Sequence, residues 1–91
     1  MKSILQDEKE CFICGKPYGL HKHHIFGGPN RKHSENNGLW IWLCPPHHNM
    51  SDFGIHFDKE LDLKVKKMAQ EKFEENNDRS DFIEIFGRSW L

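Results

Sequence analysis

Cys44-Pro45-Pro46-His47-His48 places one thiol and two imidazoles within five residues. Upstream stand Cys11-Phe12-Ile13-Cys14 and then His23-His24. Thiolates and neutral imidazoles are the donors that zinc and its neighbours in the first transition row prefer. A cysteine pair, a histidine pair and a mixed cluster in this order can build two metal sites. One would hold the fold together and the other would do chemistry.

The first site follows from spacing. Two thiolates two residues apart reach one ion, and Gly15 after the second lets the backbone turn back. Cys11, Cys14 and Cys44 use every cysteine in the chain. A second knuckle, Cys-x-x-His, supplies the fourth ligand at His47, with His48 the alternative. His47 is preferred because it leaves His48 free for the second site. A redox reading of Cys11 and Cys14 needs a βαβ setting, which the sequence does not suggest.

The second site needs more than a metal. Phosphodiester hydrolysis requires a base for water, a cation for the charge on phosphate and leaving oxygen, and a partner that fixes the base's tautomer. Adjacent histidines can divide the first two roles. On a regular strand they point to opposite faces, so a shared site requires irregular backbone or a place at the strand end.

The elements that must position these groups read as a small α+β domain spanning residues 1–91. Residues 1–10 are polar and read as a loose lead-in. Residues 20–26 form a strand closed by Gly27-Gly28-Pro29-Asn30. Residues 29–38 read as a polar loop with a turn at Asn36-Asn37-Gly38. Leu39 to Leu43 form a second, antiparallel strand, and Pro45-Pro46 starts a helical turn. A helix over about 58–76 is capped by Asp58 and carries the stripe Leu61, Val65, Met68, Ala69, Phe73. A last helix over about 80–87 is capped by Ser80 and ended by Gly87, with Trp90 and Leu91 turning back onto the core.

A chain of 91 residues, 36% hydrophobic and 30% charged, has a modest core, and a metal staple suits it. Its three cysteines rule out a complete disulfide framework. With no signal-like segment and no run near the ~20 residues of a membrane span, the chain reads as cytosolic. Net charge is −1, so there is no global pull on nucleic acid. Residues 15–34 nonetheless contain Lys16, Lys22, Arg31 and Lys32 and no acid.

His23-His24, the Gly27-Gly28 turn, the apolar strand into Cys44 and the Cys44-x-x-His47-His48 cluster together resemble the HNH endonuclease family. The likeness covers roughly Cys11 to Phe57 and is closest to small phage-type members. The His-His-Ile-Phe-Gly-Gly stretch is also similar to the RecA-dependent phage nuclease family. The resemblance implies a zinc-stabilised ββα-metal (His-Me finger) fold with its core over about 11–57, in which a hairpin and a helix grip one divalent ion. By position, His24 would be the general base and Asn37 its orienting partner, with Asn36 next to it. His23, His48 and a possible third, His56, would hold the catalytic ion, whether Mg²⁺, Mn²⁺, Ni²⁺ or Zn²⁺. The activity implied is metal-dependent DNA hydrolysis in phage or prophage DNA processing, in a bacterial or phage-infected cytoplasm.

The sequence departs from the family pattern in three places. A histidine stands where many members have an acid, the second knuckle ends in His, and Asn37 lies early relative to the strand. Lys16, Lys22, Arg31 and Lys32 are candidate phosphate contacts. The helix lysines read as a solvated face, and Trp40 and Trp42 as core beside the helix stripe. Two rival readings remain. One is a non-catalytic zinc module binding DNA or protein. The other is a nuclease active only with a recombination or packaging protein.

Overall fold

The computed structural model describes residues 1–91. Two strands, β1 (His21–His24) and β2 (Trp40–Leu43), pair antiparallel, with His21 opposite Leu43 and His24 opposite Trp40. Four helices accompany them: α1 (Arg31–Asn36), α2 (Pro45–His48), α3 (Lys59–Phe73) and α4 (Arg79–Phe86). The architecture is α+β. No helix is long and apolar enough to cross a membrane.

The hairpin connection differs from a plain loop. A 3-10 turn at Gly28–Asn30 runs into α1. This helix has no apolar stripe, and only Ser34 is buried on it. Ser34 Oγ accepts from the Phe26 N–H at 3.0 Å and donates to the Phe26 carbonyl at 2.8 Å. One hydroxyl thus fastens α1 to the end of β1 through both backbone groups of a single residue. A buried hydroxyl needs such partners.

Residues 1–10 are not loose. Ser3 Oγ donates to the Trp40 carbonyl and Ile4 N to the Gly38 carbonyl, while Trp42 N donates to Gln6 Oε1. Trp40 Nε1 donates to the Met1 carbonyl. The segment lies along the outer side of β2 and covers the two tryptophans, which are therefore not beside the α3 stripe. The Lys9 amino group stands 4.7 Å from the Trp42 ring centroid and that of Lys22 4.1 Å from Trp40.

The core gathers Ile25, Phe26, Leu39, Ile41 and Leu43 from the hairpin, Val65, Ala69 and Phe73 from α3, and Phe82 and Phe86 from α4. Phe26 packs against the aromatic rings of α4 and the C-terminus. Ring centroids of Phe82, Phe86 and Trp90 lie 5.4, 4.8 and 4.7 Å away. Trp90 does turn back onto the core, whereas Leu91 stays exposed.

Asp58 caps α3 by accepting from Leu61 N at 3.0 Å. The stripe differs from expectation at one place: Met68 is exposed and Gln70 fully buried. Gln70 is held by hydrogen bonds to Glu74 and Ser89 through Nε2 and from Trp90 N to Oε1. Gln70→Leu leaves the Trp90 N–H without its acceptor and is expected to lower stability by about 1–3 kcal/mol, read from the shift in a urea midpoint. The cap of α4 is Asp78, not Ser80: Asp78 and Asp81 form a reciprocal capping box. Gly87, at φ 87°, closes the helix.

Candidate metal centres and cleft

Gly15, at φ 78°, turns the chain after Cys14, and the Gly15 N–H bonds the Cys11 carbonyl. Phe12 N donates to the Trp42 carbonyl, so the first knuckle hangs from β2, whose end leads into Cys44. Pro45 and Pro46 start α2 without needing N–H partners, and His47 N folds back onto the Cys44 carbonyl. Cys11, Cys14, Cys44 and His47 thereby converge, their donor atoms within 4.8 Å of one another.

The shorter separations are 3.7 Å from Cys14 Sγ to Cys44 Sγ, 3.1 Å from Cys44 Sγ to His47 Nδ1 and 3.8 Å from Cys11 Sγ to the same nitrogen. Zn–S bonds of about 2.3 Å and Zn–N bonds of about 2.0–2.1 Å give tetrahedral edges of roughly 3.5–3.8 Å. The four residues fit a structural metal such as zinc. Burial works against the Cys11 thiolate, but backbone N–H groups of Cys44, Cys14 and Ile13 outweigh it and bring the pKa down to about 6. Burial pushes the Cys44 thiol up. His47 presents Nδ1 here, which leaves His48 for the other side of α2.

A second group forms from His23, His48 and His56. Strand alternation puts His21 and His23 on one face of β1 and Lys22 and His24 on the other. The loop after α2 returns with the His56 N–H on the His48 carbonyl, bringing the two rings together. His48 Nε2 and His56 Nε2 are 2.9 Å apart. The His23 ring packs edge-on against both, at centroid distances of 5.3 and 5.2 Å.

His23 Nε2 is buried and has no hydrogen-bond partner. An orphaned lone pair inside the molecule is costly, and here it faces two further imidazoles. Burial, then the neighbouring His48 and His56, holds the His23 pKa down to about 3. Burial, His56 and His21 hold His48 down to about 4. Both rings are neutral donors at pH 7, and the trio fits one borderline cation.

His21 carries no ligand signature in its sequence context. Its Nδ1 lies 3.0 Å from His48 Nδ1, so it can take the His48 N–H and aim Nε2 at the trio. The signal was its i, i+2 relation to His23. Such partners behind a ligand commonly contribute 10–100-fold to metal affinity. His21→Ala is expected to weaken metal binding at the His23, His48 and His56 trio by about that factor in a calorimetric titration, with binding at the cysteine site unchanged.

The low pKa values carry a sign. Below pH 6.5 the unfolded chain takes up protons that folded His23 refuses until about pH 3. With the trio free of metal, stability is full above pH 6.5 and falls as pH drops from there. The expected loss from His23 is about 2 kcal/mol by pH 5. Thermal melts from pH 7.5 to pH 5 check this, and His23→Leu should flatten the slope.

His24 is the last residue of β1, and it meets a different set of partners. Its Nε2 lies 3.3 Å from Glu35 Oε1, and Arg31 Nε donates to its Nδ1 at 3.3 Å. Glu35 also binds the Lys22 amino group at 3.2 Å. Hydrogen bonds from Lys22 and then His24 hold the Glu35 carboxyl below its usual range. Arginine donates only, so Nδ1 bears the lone pair and Nε2 the proton, which goes to Glu35.

Asn37 does not take this place. Its side chain donates to the His33 carbonyl at 2.8 Å, one turn back. The reason is α1: a helix over Arg31–Asn36 puts residue 35, rather than 37, against His24. Asn36 is exposed.

His23, His24 and His56 line a cleft of about 360 Å³ with Gly27, Gly28 and the α3 side chains Lys59, Asp62 and Lys66. Lys66 pairs with Asp62 at 2.8 Å. Lys59, though exposed, and the half-buried Lys66 therefore stand beside the histidines, a placement that the i, i+3, i+7 spacing of 59, 62 and 66 could have signalled. On the other side of His24, Arg31, Lys32 and Glu35 line a groove of about 390 Å³. Lys16 is not brought to either; it stacks over Tyr18 at 4.9 Å. Lys22 is occupied by Glu35 and Trp40.

Comparison with family models, with curated proteins and with solved structures finds no match.

Proposed function

We propose that the chain is a metal-dependent endonuclease with a ββα-metal site of the HNH type, hydrolysing DNA phosphodiester bonds. The observation that carries this reading is one cleft. His24, its tautomer fixed by Arg31 and Glu35, lines it together with His56 and with His23, whose buried Nε2 has no partner, and with Lys59 and Lys66 of α3. Nothing about an ordinary polar surface calls for a buried, unpartnered imidazole nitrogen next to an oriented one.

In this mechanism His23, His48 and His56 would hold the ion, and a divalent cation there would supply charge stabilisation to the scissile phosphate and the leaving oxygen. Nδ1 of His24 takes a proton from water as the water oxygen attacks phosphorus. Glu35 stabilises the resulting imidazolium through Nε2–H. The P–O3′ bond breaks, the 3′ oxygen takes a proton from solvent, and the product carries a 5′-phosphate. Lys59 and Lys66 hold neighbouring phosphate oxygens. Three imidazoles favour Ni²⁺ or Zn²⁺ over Mg²⁺ in binding.

The test is a supercoiled-plasmid nicking assay, with the protein stripped of its labile ion and re-supplied with Mg²⁺, Mn²⁺, Ni²⁺ or Zn²⁺. Nicking restored by at least one ion supports the reading. No cleavage of single- or double-stranded DNA with any of them shifts it to a zinc-stabilised binding module on the same scaffold. Activity that returns only on adding a recombination or packaging protein would make it a partner-dependent enzyme.

A further inference from the structure

The base nitrogen of His24 is not free. Its Nδ1 lone pair accepts a hydrogen bond from Arg31 Nε at 3.3 Å, and a nitrogen so occupied cannot take a proton from water. Arg31 is exposed and stands at the first position of α1. It lines the groove on the far side of His24 with Pro29 and Lys32. Glu35, the acid in that groove, is already bound to Lys22 and His24. A phosphate entering the groove would meet Arg31 and Lys32 and would be a stronger partner for a guanidinium than a neutral imidazole is.

From this geometry we infer that Arg31 is a substrate-released cap on the base: a DNA phosphate flanking the scissile one draws Arg31 off His24 Nδ1. The inference rests on the nuclease reading and adds a requirement to it. The substrate class is a strand with at least one phosphate beyond the one cut. A lone phosphodiester lacks the flanking phosphate and leaves Arg31 on the base. Arg31 therefore suppresses hydrolysis of small diesters and supports hydrolysis of DNA, which a plain phosphate contact would not do.

The test pairs two substrates and one spectroscopic readout. With bis(para-nitrophenyl) phosphate, Arg31→Ala and Arg31→Met should raise the rate about tenfold, the factor that losing one charge-assisted hydrogen bond implies. With plasmid DNA the same variants should raise KM. Nitrogen NMR of the isotope-labelled wild type, without the labile ion, should show a coupling between Arg31 Nε and His24 Nδ1. A short phosphorothioate DNA duplex should abolish it.

A coupling that persists with the duplex bound overturns the cap. So does a small-diester rate that is unchanged or lower in both variants while the wild type cleaves DNA. If the wild type hydrolyses neither substrate with any ion, the nuclease reading itself has failed and the cap falls with it.

Discussion

On the nuclease reading, His24→Ala is expected to lower plasmid nicking by about a hundredfold to ten-thousandfold, the range for losing a positioned general base. The variant is expected to keep its fold and its metal binding at the cysteine site, because the His24 side chain hydrogen-bonds none of Cys11, Cys14, Cys44 and His47. Its hydrogen bonds go to Glu35 and Arg31 alone. The comparison that gives the result meaning is a pair of neighbours. Glu35→Gln keeps an acceptor but removes the charge that steadies the imidazolium, so its loss should be intermediate and fall on kcat. Asn37→Ala removes a bond to the His33 carbonyl and should change nicking little. If Asn37→Ala were the more damaging of the two, Glu35 would not be the orienting partner. If His24→Ala nicked like the wild type, the general-base role would be wrong.

The second large effect is on stability. Cys44→Ser, or removal of the tightly held ion by a strong chelator, is expected to unfold most of the chain at room temperature. Structural zinc contributes an apparent ~10–16 kcal/mol in small domains, whereas a domain this size has about 5–15 kcal/mol in total. Cys11 and Cys44 are both in the buried cluster with Leu43 and Ile41, so losing the ion also opens the hairpin end of the core. Far-ultraviolet circular dichroism, with a metal count on the same sample, reads it. A chelated protein holding one equivalent less zinc, yet melting as before, would remove the structural role from this site. His56→Ala is the contrast: it takes a ligand from the other cluster and should leave the melting profile nearly unchanged.

The legible parts of the molecule were those governed by side-chain type and short spacing. Within Cys11-x-x-Cys14 and within Cys44-x-x-His47 a local turn suffices, and the Phe12 to Trp42 backbone bond brings the two pairs within metal-binding distance. The helix from Asp58 announced itself through its cap and its period. What stayed hidden depended on elements without a hydrophobic signature. Helix α1 buries one serine, so periodicity is silent there, and with it went the identity of Glu35 as the partner of His24. Residues 1–10 dock on β2 largely by hydrogen bonds, with only Ile4 and Leu5 packed against the core, and so few apolar residues leave little for hydropathy to register. Gln70 took an interior place through its bonds to Glu74, Ser89 and Trp90, whereas Met68, the more apolar side chain, points outward.

That docked N-terminal segment has a thermodynamic consequence for the zinc. Ser3 and Gln6 bind the backbone of β2, the strand that runs directly into Cys44. Cys11 follows five residues after Gln6. With the segment pinned, the first two thiolates are held close to the second two ligands before any ion arrives. The ion then closes a short tether instead of a loop of about thirty residues, and loop closure costs less entropy as the loop shortens. The ligands act as one preorganised chelate whose effective concentration is set by hydrogen bonds that never touch the metal. Metal affinity at the Cys11, Cys14, Cys44 and His47 cluster is therefore expected to depend partly on residues 1–10, and changes to Ser3 or Gln6 would reach it through the chain between them.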